Sequence, residues 1–348
     1  MLRRFSLAAL GSILLVLFVA GPAFACGGLV SPNGTVQLGR TTTLAAYHDG
    51  VEHYVTQFTF EGSGAAFGSI VPLPAAPTKV IKAGRWTLQR LELEVNPPTF
   101  DSVALAAAPV PSPKAAVIMT AKVAALDVTV LKGGGTAVGN WAREHGFVLS
   151  PDAPAVLDFY GSRSPYFMAV EFNEKRAAAL GQQQGQGTPV HVVIPTSRPW
   201  VPLRILTLGA GKIAPIDADV FLLNDREPAL LPRPVSRLSS NGLIIERSER
   251  ASSDLLNDLR SDRGMSWLPD SGMWFTFLRL STQAKDLTYD LAIDPSGAGH
   301  PSPVDAGLRL PAAPIDPSSP IWPVTVGLVA TAVMVVVVAE RRRIRVRP

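Results

Sequence analysis

Short stretches in which apolar and polar residues alternate dominate the middle of the chain and predict β-strands. The clearest pair, residues 42–48 and 54–60, flanks Asp49-Gly50, a strong signal for a two-residue hairpin turn. The second of these segments alternates in a way that indicates one buried face and one solvated face. Further predicted strands are 66–71, 88–95, 116–131 (with a break), 167–172, 190–194, 203–208, 220–223, 243–247, 274–280 and 287–293.

Three short helices are predicted, each from a capping residue at its start and a glycine past its end. The caps and glycines are Thr136 with Gly146, Asn173 with Gly181, and Ser253 with Gly264. Many strands, few helices and no βαβ order predict a β-rich α+β domain on a largely antiparallel sheet. We expect this domain over residues 26–297, as one unit or as two halves divided between Pro97 and Pro113.

Residues 1–25 have the pattern of a cleaved export signal. Arg3 and Arg4 precede the apolar stretch 7–20, and Ala23-Phe24-Ala25 supplies a small-x-small cleavage site. Cleavage after Ala25 leaves Cys26 as the first mature residue. We expect Cys26 to carry no lipid, because the residues before it are not those that lipoprotein signals prefer.

The C-terminal end predicts a membrane anchor. Residues 298–320 are rich in Pro, Ser, Ala and Gly, which is typical of an extended stalk. Residues 321–339 carry no charge and would reach about 28 Å as a helix, close to the thickness of a bilayer's hydrocarbon core. The tail 340–348 contains five arginines, and such an excess marks the cytoplasmic side. We therefore predict a single-pass protein of the cell membrane, with its N-terminal domain extracytoplasmic and its tail cytoplasmic.

Composition and charge narrow the function classes. Apolar residues make up 47% of the chain and charged residues only 17%, against about a quarter in a typical soluble domain. The two ends hold seven of the 32 Lys and Arg but one of the 28 acidic residues, so the exported part has a net charge near −2. The formal charge of +4 therefore predicts no nucleic-acid partner. A single cysteine excludes a disulfide framework and a four-thiolate zinc site.

Several short motifs occur in an order that resembles a known family. In chain order they are Cys26-Gly27-Gly28, residues 67–74 (FGSIVPLP), Trp141 followed by Gly146-Phe147, and residues 199–205 (PWVPLRI). This order is similar to the DUF2330 family of exported bacterial proteins, whose function is unknown. The resemblance covers residues 26–293 and implies no catalytic residues. Family members commonly have a second cysteine soon after the first, whereas Leu29-Val30-Ser31 follows here, so the resemblance implies no two-thiol chemistry.

His48 and His53 flank the predicted hairpin turn. With a two-residue loop, residue 48 pairs with 51, 47 with 52 and 46 with 53. Both histidines then lie on one face as diagonal neighbours, roughly 7 Å apart. They are within reach of a shared metal ion, but no third ligand is evident, so we predict no metal site. Cys26 with its α-amino group could also bind a soft metal, although the export signal already explains a residue there.

Two glycine-rich segments lack the order that a nucleotide-binding loop needs. Lys132 precedes the glycines of residues 133–135 instead of following them. In residues 209–212 (GAGK), Leu206 and Ile213 occupy the places of the required Gly and Ser/Thr. We interpret both segments as turns and predict no nucleotide and no other cofactor.

No catalytic motif is evident. Neither Gly-x-Ser-x-Gly nor His-Glu-x-x-His occurs, and Glu144-His145 lacks the second histidine. No catalytic or cofactor-binding residue is therefore assigned. Five tryptophans could line a glycan cleft, although such residues more often pack in the core; they are Trp86, Trp141, Trp200, Trp267 and Trp274.

Two function classes follow from these patterns. We expect a membrane-anchored, non-enzymatic binding or structural module of the cell envelope that contacts an envelope protein or a glycan. The alternative is an extracytoplasmic hydrolase or metal-dependent enzyme whose site is assembled from residues far apart in sequence. A buried cluster of three histidine or carboxylate groups, built around His48, His53, His145 or His191, would favour the enzyme.

Overall fold

The computed structural model describes residues 28–30, 41–58, 68–96, 117–182, 188–236 and 241–309. The export signal, Cys26, the division predicted between Pro97 and Pro113, the span 321–339 and the basic tail lie outside the described residues. Among the described residues, no helix is both long enough and apolar enough to cross a membrane. The described residues all belong to one compact unit, Met1–Leu310.

These residues form fifteen strands, five α-helices and one 3₁₀-helix. The strands are β1 (Gly28–Val30), β2 (Thr41–His48), β3 (Val51–Phe58), β4 (Gly68–Leu73), β5 (Lys79–Lys82), β6 (Val117–Val123), β7 (Leu126–Lys132), β8 (Tyr166–Phe172), β9 (Thr188–Pro195), β10 (Trp200–Val201), β11 (Pro215–Asn224), β12 (Ala229–Leu231), β13 (Leu243–Arg250), β14 (Trp274–Gln283) and β15 (Leu291–Asp294). The helices are α1 (Trp86–Val95), α2 (Gly135–Glu144), α3 (Ala153–Gly161), α4 (Glu174–Ala179), α5 (Ser253–Ser261) and the 3₁₀-helix Arg204–Thr207.

The strands form three sheets. The seven-stranded sheet has the order β13-β14-β11-β2-β3-β9-β5, the five-stranded sheet β1-β4-β8-β7-β6, and the three-stranded sheet β10-β15-β12. All strand pairs are antiparallel except β11 with β2. The prediction of a β-rich α+β body on largely antiparallel sheet, with few helices, is confirmed.

The two larger sheets pack face to face and carry helices on their outer faces. The central core joins side chains such as Val192 and Val220 of the seven-stranded sheet to Val170 of the five-stranded sheet. A second core packs α2 and α3 on the other face of the five-stranded sheet. A third packs α1 and α5 on the other face of the seven-stranded sheet. Because strand side chains alternate between faces, both large sheets are buried on two sides, and four layers result.

Two predicted strands are wrong. Residues 88–95 belong to helix α1, where Leu88 and Leu91 point into the third core; the straight-chain residues around them favour helix. Residues 203–208 contain the 3₁₀-helix Arg204–Thr207 instead of a strand, because a distant side chain satisfies the first amide groups. Leu203 and Arg204 donate their N–H groups to Asp290 Oδ1, at 2.7 and 2.9 Å.

The predicted helix caps are partly confirmed. Asn173 caps α4 and accepts a hydrogen bond from the Arg176 amide at 3.0 Å. For α5 the cap is Ser252, one residue before the predicted Ser253, and it accepts from the Leu255 amide. Thr136 lies inside α2, whose N-cap is Gly134. Helix α3 has no counterpart among the predicted elements.

One buried ion pair ties several segments together. Asp290 is fully buried, and its Oδ1 accepts a hydrogen bond from the Tyr160 hydroxyl at 2.8 Å as well as those from the Leu203 and Arg204 amides. Its Oδ2 accepts from Arg163, which also donates to the Asp305 carbonyl oxygen. This network links α3, the 3₁₀-helix, the start of β15 and the segment beyond residue 300.

Residues 298–309 are part of the body, in contrast to the stalk predicted from residue 298. Ala306 is fully buried, and its carbonyl oxygen accepts from the Asp290 amide at 3.0 Å. Gly307 has a φ of +69°, and a Cβ there would lie 2.1 Å from the Phe159 ring. A side chain is therefore excluded where this segment crosses α3. The remainder of the predicted stalk, residues 310–320, lies outside the described residues.

Candidate functional site

The β2–β3 hairpin places His48 and His53 as the sequence predicts. Residue 48 pairs with 51, 47 with 52 and 46 with 53 around the turn at Asp49-Gly50. Both histidines therefore lie on the outer face of the seven-stranded sheet, which carries the third core. His53 is buried, whereas the His48 side chain is 28% exposed.

His191 on β9 meets His53 from the neighbouring strand. Val193 lies opposite His53 in the antiparallel pairing, so His191 is its diagonal neighbour. The His53 Nδ1 and His191 Nε2 atoms are 2.9 Å apart, so one nitrogen donates and the other accepts. The two residues are 138 positions apart in sequence, and no local motif connects them.

Trp267, from the loop after α5, stacks on this pair. Its ring lies 3.5 Å from the His53 ring at an interplanar angle of 11°. The ring centroids of His191 and His48 lie 6.4 and 6.5 Å from that of Trp267. Among the described residues, Trp267 Nε1 and His191 Nδ1 have no hydrogen-bond partner. The three imidazoles, all on one face of the sheet, therefore lie near one indole ring.

Burial keeps the two inner imidazoles neutral. The pKa of His53 is lowered from 6.5 to about 3. Desolvation is the largest cause, and the nearby His191 and His48 add to it. Desolvation likewise lowers the pKa of His191 to about 4. At neutral pH the pair is therefore joined by one ordinary N–H···N hydrogen bond and carries no charge.

His48 contacts two carboxylates at the surface. Its Nδ1 lies 2.6 Å from Asp225 Oδ1, and its Nε2 lies 3.4 Å from Asp49 Oδ2. Asp225 directly follows β11, whose parallel pairing with β2 sets Asn224 beside Tyr47. In the described part of the chain, this is the one group of three such residues whose ligand atoms lie within 4.8 Å of one another. The sequence did not reveal Asp225, because only the pairing of β11 with β2 brings it here from 177 residues away.

His145 meets a carboxylate at a different place, on the helical side of the five-stranded sheet. Its Nδ1 donates to the Trp141 carbonyl oxygen at 2.7 Å, and its Nε2 lies 3.1 Å from Glu171 Oε1. Desolvation raises the pKa of Glu171 to about 7, and the negative charge of Asp127 adds to this shift. Desolvation lowers the pKa of His145. Burial therefore favours the neutral form of both groups.

The tryptophans and glycine loops do not converge on a site. Trp141 and Trp200 pack in the second core and Trp267 beside the third, while Trp86 is exposed. Trp274 lies on β14, where its Nε1 donates to the Ser248 hydroxyl. The five tryptophans therefore do not share one cleft. The glycines after Lys132 lead into α2 and pack against α3: a Cβ at Gly135 would lie 2.5 Å from Asp158 Oδ1.

A cavity of about 700 Å³ lies between the edge strands β12 and β13. Pro228, Ala229, Leu230 and Ile245 contribute apolar surface, and the exposed Glu227 and Arg233 lie at its rim. Two hydroxyl groups line its wall. That of Ser248 accepts from Trp274 Nε1 at 2.9 Å, whereas that of Thr276 is buried and has no partner among the described residues. Sequence patterns could not reveal this cavity, because its walls come from several separate segments between residues 227 and 301.

The chain belongs to the DUF2330 family, described as an uncharacterised protein conserved in bacteria, whose family model matches residues 20–226. This confirms the resemblance found in the sequence motifs. No curated protein matches the sequence.

Solved structures with a similar course of the chain come from a baculovirus. A mutated baculovirus P35 after caspase cleavage has a TM-score of 0.38 at 10% identity, covering 73% of this chain and 99% of that chain. P35 in the caspase-8/P35 complex has a TM-score of 0.36 at 8% identity, covering 74% of this chain and 97% of that chain. At these TM-scores the similarity supports no statement about function.

Proposed function

We propose that this protein is a single-pass membrane protein of the bacterial cell envelope whose extracytoplasmic body binds a ligand and catalyses no reaction. The export-signal pattern of residues 1–25, the uncharged segment 321–339 and the arginine-rich tail support this location. Family membership agrees with a bacterial protein of unestablished activity.

The cavity between β12 and β13 is the observation that carries the proposal. Its volume of about 700 Å³ falls in the range of roughly 300–1,000 Å³ that is usual for sites of small ligands. Apolar side chains, among them Leu230, Leu231 and Ile245, form much of its wall. No histidine or cysteine lines it. Such a wall suits a ligand with an apolar part in contact with these side chains and polar groups toward the charged rim.

The enzyme alternative finds less support in the same residues. Within the described chain, no histidine ring is hydrogen-bonded to a hydroxyl or thiol. The one cluster of three potential metal ligands lies at the surface and is therefore not the buried cluster that would favour an enzyme.

Photo-crosslinking in intact cells tests the proposal. A photoreactive phenylalanine analogue replaces Arg233, at the exposed rim of the cavity, or Arg143, which is exposed on α2, in the full chain. We expect the Arg233 position to form a covalent adduct, seen by mass spectrometry of the purified protein, and the Arg143 position to form none. Ala229→Phe, which places a bulky ring in the cavity lining, should reduce the adduct several-fold, whereas Ala179→Phe at an exposed site on α4 should not. An adduct that forms equally at both positions, or that Ala229→Phe leaves undiminished, would refute a ligand in this cavity.

A further inference from the structure

In the surface cluster at the tip of the β2–β3 hairpin, both nitrogens of the His48 ring lie beside carboxylates. His48 Nδ1 lies 2.6 Å from Asp225 Oδ1, a short hydrogen bond. His48 Nε2 lies 3.4 Å from Asp49 Oδ2, which is longer than the roughly 2.7–2.9 Å of a charge-assisted hydrogen bond. The two nitrogens of one ring therefore face two carboxylates at different distances.

The short contact determines which nitrogen carries the proton in the neutral ring. A carboxylate only accepts, so Nδ1 must donate to Asp225. The lone pair of Nε2 then points toward Asp49 Oδ2, which is also a Lewis base. The contact between them is favourable when a cation, either a proton or a metal ion, lies between the two atoms.

The separation of these two atoms matches that of two ligands on one metal ion. Ligands about 2.0–2.1 Å from a tetrahedral zinc ion lie about 3.3 Å apart, and the observed separation is 3.4 Å. A carboxylate that holds the other nitrogen of a ligating imidazole is the usual outer partner in such sites. Asp225 occupies that place.

We propose that His48 Nε2 and Asp49 Oδ2 bind one divalent transition-metal ion, and that Asp225 holds the imidazole in its metal-binding tautomer. Imidazole with carboxylate suits zinc, copper or nickel, whereas magnesium and calcium prefer oxygen ligands alone. Solvent completes the coordination, because the side chains of His48, Asp49 and Asp225 are 28%, 86% and 42% exposed. This site is separate from the cavity between β12 and β13, and it does not depend on the proposed function.

The turn provides a variant that removes the ligand and keeps the fold. Asp49 has a φ of +48° and precedes Gly50 in the two-residue turn. Asn-Gly is at least as favourable there as Asp-Gly, so Asp49→Asn preserves the hairpin while removing the carboxylate. The urea midpoint of this variant verifies that the fold is intact.

Zinc titration of the full chain in detergent, followed by calorimetry, tests the site. We expect the unmodified chain to bind one Zn²⁺ that Asp49→Asn binds at least tenfold more weakly, and Asp225→Asn about tenfold more weakly. Asp286→Asn, at an exposed carboxylate elsewhere, should leave the affinity unchanged. Equal Zn²⁺ binding by Asp49→Asn, equal loss on Asp286→Asn, or no binding at all would overturn the proposal. The last result is the one expected if a proton, shared by His48 with both carboxylates, takes the place of the metal.

Trp267 provides a second measurement that reports position. Its ring centroid lies 6.5 Å from that of His48, so Cu²⁺ bound there should quench its fluorescence. We expect the quenching to be lost in Asp49→Asn and in Trp267→Phe, while Trp267→Phe keeps its affinity for Zn²⁺. Quenching that persists in Asp49→Asn would place the ion elsewhere and overturn the assignment.

Discussion

Glu52 makes the stability of the body depend on pH in a way that a single substitution should remove. Its side chain lies on the inner face of the seven-stranded sheet, in line with Tyr47 on β2 and Ile194 on β9. The residue is 1% exposed, and neither carboxyl oxygen has a hydrogen-bond partner among the described residues. Desolvation raises its pKa from 4.5 to about 8. The folded protein therefore holds this carboxyl group protonated at neutral pH.

The sign and size of the effect follow from the two pKa values. Below pH 4.5 the group is protonated in both states, so its contribution to stability is fully present. As the pH rises, the unfolded chain loses the proton first, and the contribution is lost by the time the pH passes the folded value of about 8. From pH 6.5 to 8, at about 1.4 kcal/mol per pH unit, the free energy of unfolding should fall by about 2 kcal/mol.

Other buried groups change the free energy of unfolding only slightly between pH 6.5 and 8. The pKa values of His53 and His191 are lowered to about 3 and 4, so these groups reduce the free energy of unfolding only as the pH falls below 6.5. Glu171, with its pKa raised to about 7, adds a smaller decrease that ends near pH 7. Neither effect changes when Glu52 alone is substituted.

Urea unfolding of the body, truncated after Leu310 and followed by tryptophan fluorescence at pH 6.5 and pH 8, measures the effect. Glu52→Gln cannot ionise. We expect its free energy of unfolding to decrease by about 2 kcal/mol less than that of the unmodified body across this interval. For Glu246→Gln, which removes one exposed carboxylate, the free energy of unfolding should decrease as much as it does for the unmodified body. If the free energy of unfolding of Glu52→Gln decreases as much as that of the unmodified body, Glu52 is ionised inside the fold, and the argument from its burial is wrong.

Three further predictions concern the fold and the membrane topology. Asp290→Asn should lower the free energy of unfolding by about 3–5 kcal/mol, because it leaves the buried Arg163 without its counter-charge; a loss below 1 kcal/mol in urea unfolding would contradict this. Ser252→Ala should lower the free energy of unfolding by about 1 kcal/mol, because it removes the cap of α5, and Ser253→Ala should lower it less. A larger loss for Ser253→Ala would identify Ser253 as the cap, as the sequence predicts. Protease added to intact cells should remove the body and spare a tag placed after Pro348, and protection of the body would refute an extracytoplasmic location.

The hairpin and the core-facing strands were predictable because their signals are local. Asp49-Gly50 selects a two-residue turn, and the turn alone sets the register that brings His48 and His53 to one face. The Asn173 cap was likewise visible, since a cap needs only residues three positions apart. Helix α1 was missed because the alternating leucines and glutamates of residues 88–95 fit a strand as well as a helix. Packing of Leu88 and Leu91 in the third core favours the helix.

The sequence by itself determined the β-rich class of the body, the hairpin with its register and membership in DUF2330, because each depends on patterns within a few residues. Only the tertiary structure decided which distant residues meet. It joins His53 to His191, places Asp225 beside His48, anchors the 3₁₀-helix on Asp290 and opens the cavity between β12 and β13. Strand order and layer packing set these contacts, and neither leaves a periodic signal along the chain. For that reason both the proposed ligand site and the proposed metal site became visible only in the folded protein.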